Sequence, residues 1–234
     1  MGWLAKLLRR PAPLAPAQAA RLERWRALPE PALHAAPGAM RFVVADVEAT
    51  GLDVQRDRLI AIGAVTVEAA RIDLGRAFYC VLRQAEASSR ENILVHGIGG
   101  TAQRAGVDPA EALLAFLEFA GKAPLAGFHA AFDDTLVRRA MREYLGEPWE
   151  RKWIDLAQLA PELMPDEARA RQHLDAWLER FGIEVFSRHD AAADALATAQ
   201  LFIALLPRAA ERRVATTDRM LWVPGSGRWL GGRD

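Results

Sequence analysis

Three β-strand patterns follow one another in the first third of the chain, with no room for a helix between them. They cover residues 41–48, 59–67 and 77–82, and each is a short apolar run rich in β-branched or aromatic residues. A crossover between parallel strands needs about a dozen residues or more, usually including a helix. The sequence therefore predicts that these three strands pair as an antiparallel meander.

Helical and short strand patterns alternate after the meander. Asp108 is predicted to cap one helix, and Pro109 to be its first residue, because proline is favoured at the first helical position. Alternating helices and strands indicate an α/β layered sheet. The predicted helices cover residues 108–120, 131–145, 156–163, 168–181 and 190–206, and the predicted short strands cover 125–128 and 152–155.

Composition divides the chain into three parts. Residues 1–39 form a basic arm rich in proline and alanine with a helical stretch at 18–28, residues 40–206 form the compact domain, and residues 207–234 form a glycine-rich extension. Residues 41–206 contain 18 basic and 25 acidic side chains, whereas both ends carry a basic excess. An acidic domain binds a polyanion poorly unless cations occupy its acidic site, and scattered solvated charge is the alternative explanation.

Several classes of protein are disfavoured by the sequence. Cys80 is the single cysteine, so an internal disulfide framework and a cysteine-rich zinc site are excluded. No apolar run is long enough to span a membrane, the first residues lack the pattern of a secretory signal, and we expect a cytoplasmic protein. The motifs of P-loop, dinucleotide-binding and zinc-protease sites are missing from the sequence.

Two carboxylates end the first predicted strand. Asp46 and Glu48 lie two residues apart, so their side chains leave the strand on the same side, next to the turn at Gly51. Neighbouring carboxylates repel one another, and protons or cations must compensate that repulsion. A solvated acidic edge strand is the alternative for this pair taken alone.

Two further acidic positions accompany predicted helices. Asp133 lies in the first turn of the helix that follows the strand at 125–128, where it also suits the helix dipole. His189 precedes the helix at 190–206, Asp190 is its predicted N-cap, and Asp194 lies one turn further among alanines. A buried aspartate is costly without a partner, and a histidine has a pKa suited to accepting a proton from water.

Taken in order, these stretches resemble the DEDDh family of 3′–5′ exonucleases, which includes the proofreading epsilon subunit of bacterial replicative polymerase, RNase T and oligoribonuclease. The resemblance covers about residues 41–206 and rests on three motifs. These are Asp-x-Glu-x-Thr-Gly at the end of a strand, Phe-Asp at the start of a mid-chain helix, and His-x-x-x-x-Asp at a late helix. It implies an RNase H-like α/β fold, a mixed sheet with helices on both faces and the first three strands antiparallel.

The resemblance also assigns roles to the matching residues. It implies that Asp46 bridges two divalent metal ions, Mg²⁺ or Mn²⁺, that Glu48 and Asp194 each bind one of them, and that Asp133 holds the metals through water. His189 matches the general base. The residues expected to contact the 3′-terminal nucleotide are Thr50, Gly51, Leu52, His129, Phe132 and His96, and for His96 an ordinary loop histidine is the alternative.

One position departs from the family pattern. Ala130 stands where the second motif commonly has asparagine, beside His129. Alanine lacks the amide that supports the loop or contacts the nucleotide, so this departure affects the expected substrate contacts. His129 itself is open to a structural role, a substrate contact or an extra metal contact, and Asp155 is expected to be a helix cap.

The expected reaction is hydrolysis of phosphodiester bonds from a free 3′ end, which releases nucleoside 5′-monophosphates. The resemblance favours single-stranded or frayed DNA, with RNA left open, and the terminal extensions are candidate sites for a replication or repair partner. A weakly active binding module and a phosphodiesterase for short oligonucleotides are the alternatives.

Overall fold

The computed structural model describes residues 13–168, 173–214 and 216–221. Its strands are β1 (Arg41–Ala49), β2 (Leu59–Glu68), β3 (Arg71–Val81), β4 (Leu125–Gly127) and β5 (Trp153–Asp155). Its helices are α1 (Pro16–Arg26), α2 (Arg90–His96), α3 (Gly100–Ala105), α4 (Pro109–Ala120), α5 (Ala130–Ala140), α6 (Leu156–Leu163), α7 (Pro165–Ala168), α8 (Leu174–Arg180), α9 (Ala191–Glu211) and α10 (Thr217–Leu221).

The five strands form one mixed sheet in the order β3-β2-β1-β4-β5. β1 pairs with β2, and β2 with β3, in antiparallel register, which confirms the predicted meander. β4 runs parallel to β1, and β5 runs parallel to β4. Strand β1 therefore lies at the centre of the sheet, where antiparallel and parallel pairing meet.

Helices cover both faces of the sheet, because the side chains of β1 alternate between them. Val43 and Ala45 belong to a buried cluster with residues of α4 and α5, whereas Phe42 and Val44 belong to a second cluster with residues of α6, α8 and α9. Phe42 meets Phe202 of α9 edge-on, with ring centroids 4.9 Å apart. The α/β fold with helices on both faces is thus as predicted.

The third strand is longer than predicted. It begins at Arg71 rather than at residue 77, since Ala69 and Ala70, with φ of 49° and 55°, make a two-residue turn directly after β2. Positive φ at both central residues is typical of the tight hairpin turns that match the twist of paired strands. The added residues are mostly exposed, so they lack the apolar pattern that identifies a buried strand.

Several helix predictions hold, and others need correction. Asp108 caps α4 by accepting a hydrogen bond from the Ala110 N–H at 3.1 Å. The helix predicted over 131–145 ends as α-helix at Ala140 and is followed by a π-helical turn, Met141–Leu145. The helix predicted over 168–181 is divided into α7 and α8, with residues 169–172 outside the described part. Helices α2 and α3 were not predicted.

Both terminal segments pack on the domain where they are described. Trp25 of α1 is buried and donates its Nε1–H to the Gly121 carbonyl at 2.8 Å. Helix α9 continues through Pro207 to Glu211, five residues past the predicted end. The Thr217 N–H then bonds the Ala35 carbonyl at 3.1 Å. Residues 1–12 and the glycine-rich segment 222–234 lie outside the described residues. Among the described residues, no helix combines the length and apolarity needed to cross a bilayer.

Candidate active site

The carboxyl end of β1 points two acidic side chains at α9. Asp46 and Glu48 follow Phe42 and Val44 on the same face of the strand, and both are half-buried. Gly63 of β2 pairs with Asp46, and a Cβ on Gly63 would lie only 2.2 Å from the backbone of Ala191. The bare glycine therefore lets the first turn of α9 rest on the sheet beside Asp46.

This close approach brings Asp194 to the sheet. Asp190 caps α9, as predicted, by accepting hydrogen bonds from the N–H groups of Ala192 and Ala193 at 3.0 Å. Asp194 follows one turn later and is 4% exposed. Its Oδ2 accepts a hydrogen bond from the His189 N–H at 2.9 Å, and its Oδ1 accepts one from the guanidinium of Arg188.

Asp133 approaches β1 from the opposite helix layer. The pairing between β1 and β4 joins Val43 to Leu125 and Val44 to Ala126, and it stops there. Beyond its end, Asp133 Oδ1 accepts a hydrogen bond from the Val47 N–H at 3.0 Å. Because β4 ends early, the Val47 N–H bonds Asp133 instead of a neighbouring strand. Asp133 is therefore held against the backbone of β1 at the residue between Asp46 and Glu48.

The electrostatic environment of these carboxylates disfavours their charged forms. Burial, reinforced by the charge of Asp194, raises the pKa of Asp46 well above its ordinary value. Burial and the charges of Asp46 and Asp194 raise the pKa of Glu48 to about 9. Burial and Asp46 also raise the pKa of Asp133, although the Val47 N–H acts in the opposite direction. The positive charge beside the cluster, that of Arg188, is therefore too small to compensate its carboxylates.

The donor set fits hard divalent cations such as Mg²⁺ or Mn²⁺, because it consists of closely spaced carboxylates that lack enough counter-charge. Within the described residues, however, no three acidic, histidine or cysteine side chains are arranged to ligate one ion as they stand. Both oxygens of Asp194 are engaged by Arg188 and His189. Ligation by the full set thus requires the Asp194 carboxylate to turn.

His189 lies on the loop before α9 with its side chain exposed. Its φ is 57°, in the left-handed region that few residues other than glycine adopt. The hydrogen bond from its N–H to Asp194 holds this conformation. The predicted general base and the predicted metal ligand are therefore connected through the backbone.

The loop after β1 is folded around Asp57. Thr50 Oγ1 donates to Asp57 Oδ1, and the Asp53 N–H donates to Asp57 Oδ2, both at 2.8 Å. A Cβ on Gly51 would lie 2.6 Å from Asp57 Oδ2, so only glycine fits there without displacing the carboxylate. From α5, Arg139 donates to the Asp57 carbonyl at 2.8 Å.

The loop braced by these hydrogen bonds presents Leu52 to solvent. Leu52 is 90% exposed and lies four residues after Glu48. Leaving a leucine exposed forgoes about 2 kcal/mol of stabilisation from burial. The hydrogen bonds within the loop hold Leu52 in the exposed position despite this cost. The arrangement suits the predicted contact of Leu52 with a terminal base.

Other predicted site residues serve the fold. His96 is 4% exposed, its Nδ1 accepts a hydrogen bond from the Ile98 N–H at 2.9 Å, and its Nε2 lies 2.9 Å from Asn92 Oδ1. With the ring enclosed and both nitrogens engaged, the structure favours the ordinary structural histidine over a substrate contact for His96. Phe132 is partly buried and packs against the cluster that contains α4 and α5.

The second-motif residues are held by Asp155. Asp155 Oδ1 accepts hydrogen bonds from the N–H groups of His129 and Ala157, both at 3.0 Å, so the predicted helix cap also anchors the start of α5. His129 adopts a left-handed φ of 59°. Ala130 is buried next to Gly127, and a Cβ added to Gly127 would lie 3.5 Å from the Cβ of Ala130.

The family model for exonucleases of the RNase T type matches residues 43–202. The chain belongs to this exonuclease family. The match spans β1 to α9 and therefore every motif from Asp46 to Asp194.

Relatives of this exonuclease domain occur in DNA polymerase III. The PolC-type DNA polymerase III of Thermotoga maritima is 32% identical over 166 residues, which are 71% of this chain and 12% of the polymerase. The epsilon subunit of DNA polymerase III of Aquifex aeolicus is 28% identical over 165 residues, 70% of this chain and 80% of the relative. The chain thus spans a small part of the PolC relative.

Solved structures share the fold of this exonuclease domain. E. coli Exonuclease I in complex with a dT13 oligonucleotide aligns with a TM-score of 0.65 and 20% identity, over 75% of this chain and 43% of that chain. Cell-death related nuclease 4 aligns with a TM-score of 0.63 and 13% identity, over 71% and 64% of the two chains. These likenesses confirm the predicted RNase H-like sheet.

Two residues of the candidate active site were missed from the sequence. Arg188 directly precedes His189, so its charge beside the third motif was the available signal. Asp57 is separated from Thr50 by the loop 51–56, and nothing in the sequence of that loop indicates that the Asp57 carboxylate turns back on Gly51.

Proposed function

We propose that this chain is a DEDDh-type 3′–5′ exonuclease that releases nucleoside 5′-monophosphates in a reaction dependent on Mg²⁺ or Mn²⁺. The observation that carries the proposal is the convergence of Asp46, Glu48 and Asp194 on one face of the sheet, with His189 on the adjoining loop. Membership of the exonuclease family makes phosphodiester hydrolysis the reaction that this cluster serves.

The residues divide the work between metal binding and proton transfer. Asp46, Glu48 and Asp194 would hold two cations, with Asp133 supporting them through water. Two such cations, when bound, stabilise the attacking and leaving oxygens of an in-line displacement. His189 accepts the proton of the attacking water, and its exposure on the loop before α9 gives the ring access to solvent.

We infer that the preferred substrate is a single-stranded or frayed 3′ end of DNA. The relatives are named as parts of DNA polymerase III, and the Exonuclease I structure contains a DNA oligonucleotide. In this chain, Thr50, Gly51 and the exposed Leu52 would receive the terminal nucleotide, and a replication or repair protein is the proposed partner of the terminal extensions.

The test uses the full chain with single-stranded DNA and RNA labelled at the 5′ end, in Mg²⁺, in Mn²⁺ and in chelator. We expect metal-dependent shortening from the 3′ end, faster on DNA, and a loss of about 10²- to 10⁴-fold in kcat for His189→Ala. Degradation of dinucleotides but not of longer strands would support the short-oligonucleotide phosphodiesterase instead. If the strands stay intact in every metal, the result would instead support the alternative of a weakly active binding module.

Asp57→Ala is expected to raise KM for single-stranded DNA about tenfold, with a smaller change in kcat, because the loop that carries Leu52 loses its brace. The measurement is steady-state hydrolysis with varied DNA concentration. Asp73→Ala is the matched control, since Asp73 likewise accepts a hydrogen bond from a nearby backbone group, the Gly75 N–H at 3.0 Å, but within the edge strand β3. Equal KM in the two variants would contradict the role of Asp57.

A further inference from the structure

Arg188 connects the candidate metal ligands to α8. Its Nη1 donates to Asp194 Oδ1, and its Nε donates to Asp175 Oδ1 at 2.6 Å. The Asp194 side chain is only 6% exposed, whereas that of Asp175 is 68% exposed. The guanidinium thus spans from the protein surface to the buried carboxylate.

Arg188 is also the source of positive charge for the other carboxylates. Among the described residues, it is the cation whose charge favours the ionised forms of Asp46 and Glu48, against the opposing charges of Asp190 and Asp194. Within the described part of the chain, no protein donor forms a hydrogen bond with the carboxylate of Asp46 or Glu48. The guanidinium therefore supplies the compensating positive charge that a bound divalent cation would supply.

A guanidinium and a divalent cation compete for the same carboxylate oxygen. Asp194 Oδ1 faces Arg188, and Asp194 Oδ2 holds the backbone of His189. A cation that recruits Asp194 must displace Nη1, because a second positive charge at this short distance is repelled. The bond from Arg188 Nε to the exposed Asp175 leaves the guanidinium an anchor after this displacement.

We propose that Arg188 is the counter-ion of the metal-free site and that a divalent cation displaces it from Asp194 toward Asp175. This inference rests on the proposed metal dependence and assigns Arg188 as a positioning residue, which acts through Asp194 on the segment that carries His189. Arg188 thereby stabilises the folded carboxylate cluster before the metal binds, and it sets the affinity for the metal.

The test is calorimetric titration of the full-length protein with Mn²⁺. We expect Arg188→Gln to bind Mn²⁺ about tenfold more tightly than the wild type, because a competing positive charge is removed. Asp175→Asn, at an exposed site, is expected to bind Mn²⁺ about threefold more weakly, because Arg188 then remains on Asp194. A residue with a purely structural role would not change the affinity in opposite directions in these two variants.

Arg180→Gln is the control, since Arg180 pairs with Glu167 at 2.7 Å and is not connected to the cluster. Its Mn²⁺ affinity should equal that of the wild type. Unchanged or weaker binding in Arg188→Gln, with a folded far-ultraviolet circular dichroism spectrum, would overturn the proposal, as would unchanged or tighter binding in Asp175→Asn. A wild type that binds no Mn²⁺ would instead refute the proposed function, on which the inference depends.

Discussion

Asp46→Asn is expected to lower kcat by about four orders of magnitude and, in the same molecule, to stabilise the metal-free protein. The activity falls because the substitution removes a carboxylate that would hold the proposed cations, which would supply several kcal/mol of transition-state stabilisation. The stability rises because burial and Asp194 disfavour the charge of Asp46, and the amide carries no charge. A gain of about 1–2 kcal/mol in unfolding free energy is expected.

Both effects are measured on the same preparation, by exonuclease kinetics in Mg²⁺ and by urea unfolding in chelator. Asp73→Asn is the matched control, because it neutralises an exposed carboxylate at the far end of the same sheet. Its activity and stability should stay close to those of the wild type. An active Asp46→Asn enzyme would remove Asp46 from the mechanism, and a destabilised one would contradict the electrostatic account of the cluster.

The predictions from sequence that succeeded depend on local rules. The meander followed from gaps too short for a crossover, and β1 pairs with β2 as expected. The caps by Asp108, Asp155 and Asp190 followed from residue preferences at helix starts, and each makes the expected bond. Strand alternation also placed Asp46 and Glu48 on one face, because that relation needs no knowledge of the rest of the chain.

The features that escaped prediction depend on contacts between distant parts of the chain. Arg139 braces the loop at Asp57 from 82 positions away, and no local pattern marks such a pair. The exposed start of β3 lacks an apolar pattern, since the edge of the sheet there faces solvent. The helix α9 passes Pro207, where a local rule would end it, because its apolar face is buried on the sheet.

The structure also shows how the backbone is held next to Ala130, the position that departs from the family pattern. The side chain is buried at the start of α5, and Asp155 holds the preceding His129 backbone. The bond from the His129 N–H to Asp155 thus holds the start of α5 from the neighbouring strand β5. This contact is visible only after the β4–β5 pairing places Asp155 opposite Gly127.

The unfolding free energy of the metal-free protein is expected to fall by about 2 kcal/mol between pH 5 and pH 8. Burial and the neighbouring carboxylates raise the pKa of Glu48 from 4.5 to about 9. Between these values the folded state keeps a proton that the unfolded state releases, so stability is highest below pH 4.5 for this group and is lost as pH rises. Partial exposure reduces the full effect of about 1.4 kcal/mol per pH unit.

Urea unfolding in chelator at several pH values measures this slope, and Glu48→Gln should make it shallower. Arg21 holds the pKa of Glu118 below 4.5, so that group acts outside this window. Burial lowers the pKa of His96 from 6.5, so His96 opposes the trend in the lower half of the window and makes the net slope shallower there. Saturating Mn²⁺ should reverse the trend, because cations bind the ionised carboxylates and protons compete with them. A metal-free stability that rises steadily from pH 5 to pH 8 would mean that the carboxylates are already compensated, and that the cluster has no need of a cation.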